Sequence, residues 1–163
     1  MKSLFLLSVK IPVILAGLSA GLSLSHVLEI PGKHRLTALE FVHVHHTFYG
    51  GYAIFGAAAW IYCSAAGLIA GLKFYKINKR ISGYSFSAAA AFIICIAIFG
   101  FFLNHYNQLI RAWNDVLPEN WKSIRNHWEV SHIVVFVFTT VSFILFLNAY
   151  GLINKSIYEK SSC

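Results

Sequence analysis

Four apolar stretches, each long enough to cross a bilayer, occupy nearly all of this 163-residue chain, at residues 4–30, 38–74, 84–112 and 121–150. A hydrocarbon core about 30 Å thick needs about 20 consecutive apolar residues in a helix. A helix is also the simplest structure that satisfies its own backbone there. The sequence therefore predicts an all-α integral membrane protein, a single-domain antiparallel bundle of four transmembrane helices. Only 12% of the residues are charged, against about 25% in soluble domains, which is too few to cover a soluble surface. The net charge is +7, yet the basic residues flank the apolar runs instead of forming a patch. That pattern excludes a nucleic-acid partner and names the lipid bilayer instead. Cys63 and Cys95 fall inside apolar runs, and Cys163 is the last residue. With no C-x-x-C spacing they make neither a disulfide framework nor a zinc knuckle, and read as small buried thiols.

The boundaries are written in turn chemistry. Lys2 followed by Leu4–Leu7 resembles a signal peptide, but the apolar run continues to Ile30, so it reads as a retained anchor. Gly17 and Gly21 form a small-xxx-small step for a neighbouring helix. Pro31-Gly32 is a predicted helix stop. Thr37-Ala-Leu-Glu40 is a capping box that opens the second helix. Lys73 to Gly83 reads as a basic loop. Asn104, Asn107 and Arg111 keep helical spacing at the end of the third span, and Pro118-Glu119-Asn120 breaks the chain before the fourth. Eight of the 13 Lys and Arg residues lie on the side of the termini. The positive-inside rule then puts both termini in the cytoplasm.

All eight histidines fall at the opposite end of the bundle. There the first helix carries His26 and Glu29, the second His43 and His46, the third Asn104 and Asn107, and the fourth Glu129 and His132. Each pair is spaced i,i+3, so its members share a helix face. Ionisable residues in a span are expensive to bury and mark a site. The set His26, Glu29, His46, Glu129 and His132, with His43 and His105 in reserve, suits a metal such as iron, zinc, manganese or copper. One Glu-x-x-His and one reversed His-x-x-Glu fall short of a carboxylate-bridged di-iron centre. Haem held by His26 or His46 opposite His132 or His105 is a further option. Against these stands simple anchoring. His34, His45 and His127 occupy loop or off-face positions. Glu29 with Arg125 reads as a structural ion pair, Arg111 with Asp115 as a surface helical pair. Phe48, Tyr49, Tyr52, Trp60, Trp113, Trp121 and Trp128 read as core and interfacial belt.

Three stretches carry a family resemblance: Ser25-His-Val-Leu-Glu-Ile-Pro-Gly-Lys33, Asn104-x-x-Asn107, and Leu117-Pro-x-x-Trp121-x-x-x-Arg125-x-x-Trp128-Glu129-x-x-His132. In these, and in the number and order of its spans, the chain resembles the bacterial branch of the anthrone-oxygenase-like family of small four-helix membrane proteins, which implies a bacterial inner membrane. The resemblance implies oxidation of an electron-rich polycyclic phenol by dioxygen, with no cofactor required. Asn107, Trp128 and His132 sit at the positions that look shared with the anthrone oxygenases themselves.

Residues and resemblance together give a leading expectation: a membrane oxidoreductase or oxygenase with a His/Glu pocket at the periplasmic end. His26 and His132 act as ligands or bases, and Glu29 and Glu129 as ligands or orienters of those imidazoles. Asn104, Asn107 and Arg125 bind a small hydrophobic aromatic substrate on which Trp128 stacks. In the cofactor-free form His132 is the base. The competing expectations are a metal or haem carrier without chemistry, and a structural subunit whose small-residue faces support a homo-oligomer.

Overall fold

The computed structural model describes residues 2–114 and 116–159, with side chains described from 10 to 114 and from 116 to 156. Its elements are α1 (Lys2–Lys33), α2 (Ala38–Phe74), α3 (Lys79–Ile98), a π-helical turn (Phe99–Leu103), α4 (Asn104–Arg111) and α5 (Trp121–Glu159). There is no strand among the described residues. Four stretches are long and apolar enough to cross a membrane: Lys10–Lys33, Ala38–Phe74, Lys79–Arg111 and Trp121–Ser156. The shortest has 24 residues, about 36 Å at ~1.5 Å per residue, which exceeds a hydrocarbon core.

Side-chain caps set the starts of α2 and α3. Thr37 and Glu40 form the predicted capping box, with the Glu40 carboxylate 2.7 Å from the Thr37 amide it accepts from. Asn78 does the same work for α3, its side-chain oxygen accepting from the Arg80 and Ile81 amides at 3.0 and 3.2 Å. The third helix therefore starts at Lys79, inside the expected basic loop and ahead of the expected residue 84. It is also not one regular helix, because Phe99–Leu103 widens into a π-helical turn before α4. The fourth helix continues past the expected end at 150 to Glu159.

The predicted stop at Pro31-Gly32 is overridden, and α1 runs through it to Lys33. Proline removes one helical hydrogen bond. Past the proline, the Lys33 ammonium reaches back along the helix to the His26 carbonyl at 3.2 Å and the Glu29 carboxylate at 3.5 Å. The extra turn places Lys33 on the face that carries His26 and Glu29, and only 3% of it is exposed.

In the packing, α1 lies against α5 and α2, and α3 against α2 and α5. A single main core includes Phe41, Trp60, Phe92, Leu103, Ile110, Trp128 and Val135. The tightest approach joins α2 to α3. A Cβ on Gly67 would lie 2.8 Å from the Ser85 carbonyl oxygen and 2.9 Å from the Ala89 Cβ. Serines tie the helices where backbones come close. Ser82 donates to the Gly71 carbonyl at 2.8 Å, and Ser142 to the Ala88 carbonyl at 2.9 Å. Only half of the predicted small-xxx-small step is used. A Cβ on Gly17 would sit 3.1 Å from the Phe143 ring, whereas Gly21 faces open space. Cys63 and Cys95 are buried free thiols, as expected. The expected pairing of Arg111 falls on Asp115, which lies outside the described residues, as does Cys163.

The Gly67 contact makes a prediction. Gly67→Ala drives a methyl group into backbone and should cost about 1–3 kcal/mol, read as a lower melting temperature in detergent. Gly51→Ala meets nothing within 4 Å and should leave the melting temperature unchanged or raise it, by up to about 1 kcal/mol of stability.

Candidate functional site

The site forms where α1, α2, α4 and α5 meet. Its centre is the pair His26 and His132, whose rings stack with centroids 4.0 Å apart and planes at 22°. Trp128, one turn before His132 on α5, stands edge-on to it at 4.5 Å. Trp128 is 1% exposed. Around this trio lie Tyr49 and Tyr52 of α2, with ring centroids 4.9 and 5.5 Å from that of His26. His45 lies 5.4 Å from Trp128.

Asn107 of α4 holds the arrangement together. Its side-chain oxygen accepts from Trp128 Nε1 at 2.8 Å and bonds His45 Nε2 at 3.3 Å. An indole N–H can only donate, so the Asn107 atom facing Trp128 must be the oxygen. His45 then carries its proton on Nε2. One carbonyl thereby joins α2, α4 and α5.

Two charged clusters roof the site. In the first, the Glu29 carboxylate accepts from Tyr49 OH at 2.7 Å and meets the Lys33 ammonium at 3.5 Å. That ammonium also lies over the Trp128 ring, 4.8 Å from its centroid. In the second, Arg125 donates to the Lys33 carbonyl at 3.3 Å and to His34 Nδ1 at 3.4 Å. With Nδ1 accepting, His34 donates from Nε2 to Glu129 at 2.6 Å. The loop between α1 and α2 is thus fastened to α5 by buried charge.

The stacked pair opens on a cavity of about 40 Å³. Beside His26 and His132 its wall includes Tyr49, Tyr52, Trp60, Asn107 and Trp128, and its other half is apolar, with Leu22, Ala53, Phe99 and Val135. Two buried polar atoms of wall residues, His26 Nδ1 and Trp60 Nε1, have no hydrogen-bond partner. A cavity of this volume holds water-sized or diatomic molecules. It can admit one edge of an aromatic ring, not a whole polycyclic one.

Several expectations are corrected. The five-residue metal set does not converge. Glu29 is taken by Tyr49 and Lys33, Glu129 by His34, and exposed His46 by the Ile110 carbonyl at 3.2 Å. Among the described residues no group of three His, Cys, Asp or Glu could hold a metal ion. The reserves do not reach the centre either, since His43 and His105 are exposed. A haem between His26 and His132 has no gap to enter, since the two rings stack at 4.0 Å, and the alternative ligands His46 and His105 are exposed. Neither glutamate bonds the His26 or His132 ring; their partners are Tyr49, Lys33 and His34. Arg125 braces the loop and is not among the cavity's lining residues, and it does not pair with Glu29. Asn104 lines a separate surface groove. His34 and His45, set aside as loop and off-face residues, are structural members of the site.

Sequence reasoning missed Lys33, while its reading of Tyr49 as core holds and the hydroxyl's bond to Glu29 adds to it. Lys33 carried a usable signal, its i,i+4 spacing from Glu29, which the proline-glycine pair masked. Compared with family models, curated proteins and solved structures, the chain matches none.

The Asn107 hub is testable. Asn107→Leu leaves the Trp128 N–H and one His45 N–H buried without an acceptor, at about 1–3 kcal/mol for each such group. Thermal unfolding of Asn107→Leu, Trp128→Phe and the double variant should give non-additive losses, with the double variant well above the sum in stability. Additive losses would mean that the bond does not carry this weight.

Proposed function

We propose that the chain is an integral membrane protein of the bacterial inner membrane that oxidises a lipid-soluble phenolic aromatic with dioxygen, without a cofactor, at the His26–His132 pair. Its four spans run antiparallel, with both termini cytoplasmic. Cross-helix contacts support that arrangement. Pro12 meets Cys63 while His26 meets Tyr49, and Gly17 faces Phe143 while His26 faces His132. In both pairs of helices, later residues of α1 meet earlier residues of the partner. The bias of Lys and Arg toward the terminal side supports the orientation.

The observation that carries the chemical reading is the stacked imidazole pair opening on a small, half-apolar cavity. An imidazole suits proton transfer near neutral pH. Two imidazolium rings at 4.0 Å would repel strongly, so the pair accommodates one proton and keeps one ring as a base. His132 takes a proton from an activated methylene of the substrate, and the resulting carbanion adds dioxygen. The hydroperoxide then loses water, so that one CH₂ and one O₂ become one C=O and one H₂O. The carbanion supplies the electrons, and dioxygen is the oxidant. A ring edge entering between Tyr52, Trp128 and the histidine pair presents the reacting carbon, and Asn107 fixes the indole that walls it. The anthrone-oxygenase-like resemblance of the His26–Lys33 and Trp128–His132 stretches agrees with this chemistry.

Oxygen uptake with an anthrone in lipid nanodiscs tests the reading. Wild type should consume one O₂ per anthrone, and His132→Ala should lose about 10²–10⁴-fold of the rate. Elemental analysis should give the same iron, copper and zinc content for wild type, His26→Ala and His132→Ala. Absence of uptake across phenolic substrates would leave a binding protein. Metal lost together with either histidine would restore a metal site.

A further inference from the structure

Beside the cavity, on the outer surface, lies an open groove of about 420 Å³. One wall is Gly50, Ala53, Ile54 and Ala57, a single face of α2 by its i, i+3, i+4, i+7 spacing. The opposite side is Phe99, at the start of the π-helical turn, and the polar end is Asn104, Asn107 and Arg111. Ala53, Phe99 and Asn107 line both spaces, so the groove and the histidine cavity share one wall.

The polar end is rich in donors. The Asn107 oxygen is already occupied by Trp128 and His45, so only its N–H₂ remains for a ligand. Arg111 adds an exposed guanidinium with five donors and no acceptor. The remainder of the groove is apolar, and Ile54 on its α2 wall is 76% exposed. We infer that this groove binds a flat, lipid-soluble molecule bearing one oxyanion, its ring on the α2 face and its charge on Arg111 and the Asn107 amide. The volume falls within the usual range for small-molecule sites, about 300–1,000 Å³. Gly50 to Ala57 spans about 10 Å by helical rise, the length of a few fused rings and well short of a phospholipid acyl chain. A small aromatic anion therefore fits better than a membrane lipid. The inference concerns binding and stands apart from the proposed oxidation, since its test involves no turnover.

The probes are anthracene-9-carboxylate and neutral 9-methylanthracene. They are titrated into full-length protein in phosphatidylcholine nanodiscs and read by energy transfer from tryptophan. Wild type should prefer the carboxylate. Arg111→Gln should lose about tenfold of carboxylate affinity, the effect of one charged hydrogen bond, and leave 9-methylanthracene unchanged. Ala57→Leu should weaken both probes, and Ala70→Leu, in the apolar groove at the other end of the bundle, should weaken neither. An unchanged preference in Arg111→Gln overturns the inference. So does displacement of the carboxylate probe when the discs are made rich in phosphatidylglycerol, which would give the groove to lipid phosphate. Position 111 is exposed, so Arg111→Gln decides the question even where Ala57→Leu fails to fold.

Discussion

A buried ammonium must be met by oxygen, and Lys33 is met within its own helix. The Glu29 carboxylate and the His26 carbonyl both lie within 3.5 Å of its nitrogen. Leaving such a charge unpaired in a low-dielectric interior would cost several kcal/mol. That requirement explains why α1 tolerates Pro31 and Gly32. The extra turn brings the nitrogen to those oxygens, and there it lies over the Trp128 ring. The end of α1, the start of α5 and the loop between α1 and α2 follow from it, because Arg125 bonds the Lys33 carbonyl and reaches His34.

The bundle is built differently at its two ends. Around Gly67 and Gly71, α2 and α3 approach until no methyl group fits between them. Toward the histidine end, large rings replace small residues. Tyr49, Tyr52, Trp60, Trp128 and the two imidazoles then hold the helices apart. The π-helical turn at Phe99–Leu103 adds to this spread by widening the third span locally. Such turns recur at functional positions, where an irregular backbone re-aims side chains. Here it precedes α4, whose Asn107 side chain faces the cavity on one side and the surface groove on the other. A cavity at the tight end would require breaking close backbone contacts. At the wide end it arises because rings of this size do not fill space completely.

The sequence by itself determined four membrane-length helices, the capping box at Thr37 and the gathering of polar residues at one end. It also pointed to His26, Asn107, Trp128 and His132. These are properties of single helices, set by apolar length, turn chemistry and i,i+3 spacing. Tertiary structure alone decided which partner each polar group meets. Spacing says that Glu129 and His132 share a face, but the rotation and depth of α5 against α1 send Glu129 to His34 and His132 to His26. The same holds for His45, which reads as an anchoring residue until α4 is packed beside it, and for the Tyr49 hydroxyl, whose partner Glu29 comes from α1. The expected five-residue metal set does not converge for this reason. Ligand counting along a chain treats nearby carboxylates as free, and in the packed molecule tyrosine, lysine and histidine donors have already claimed both of them.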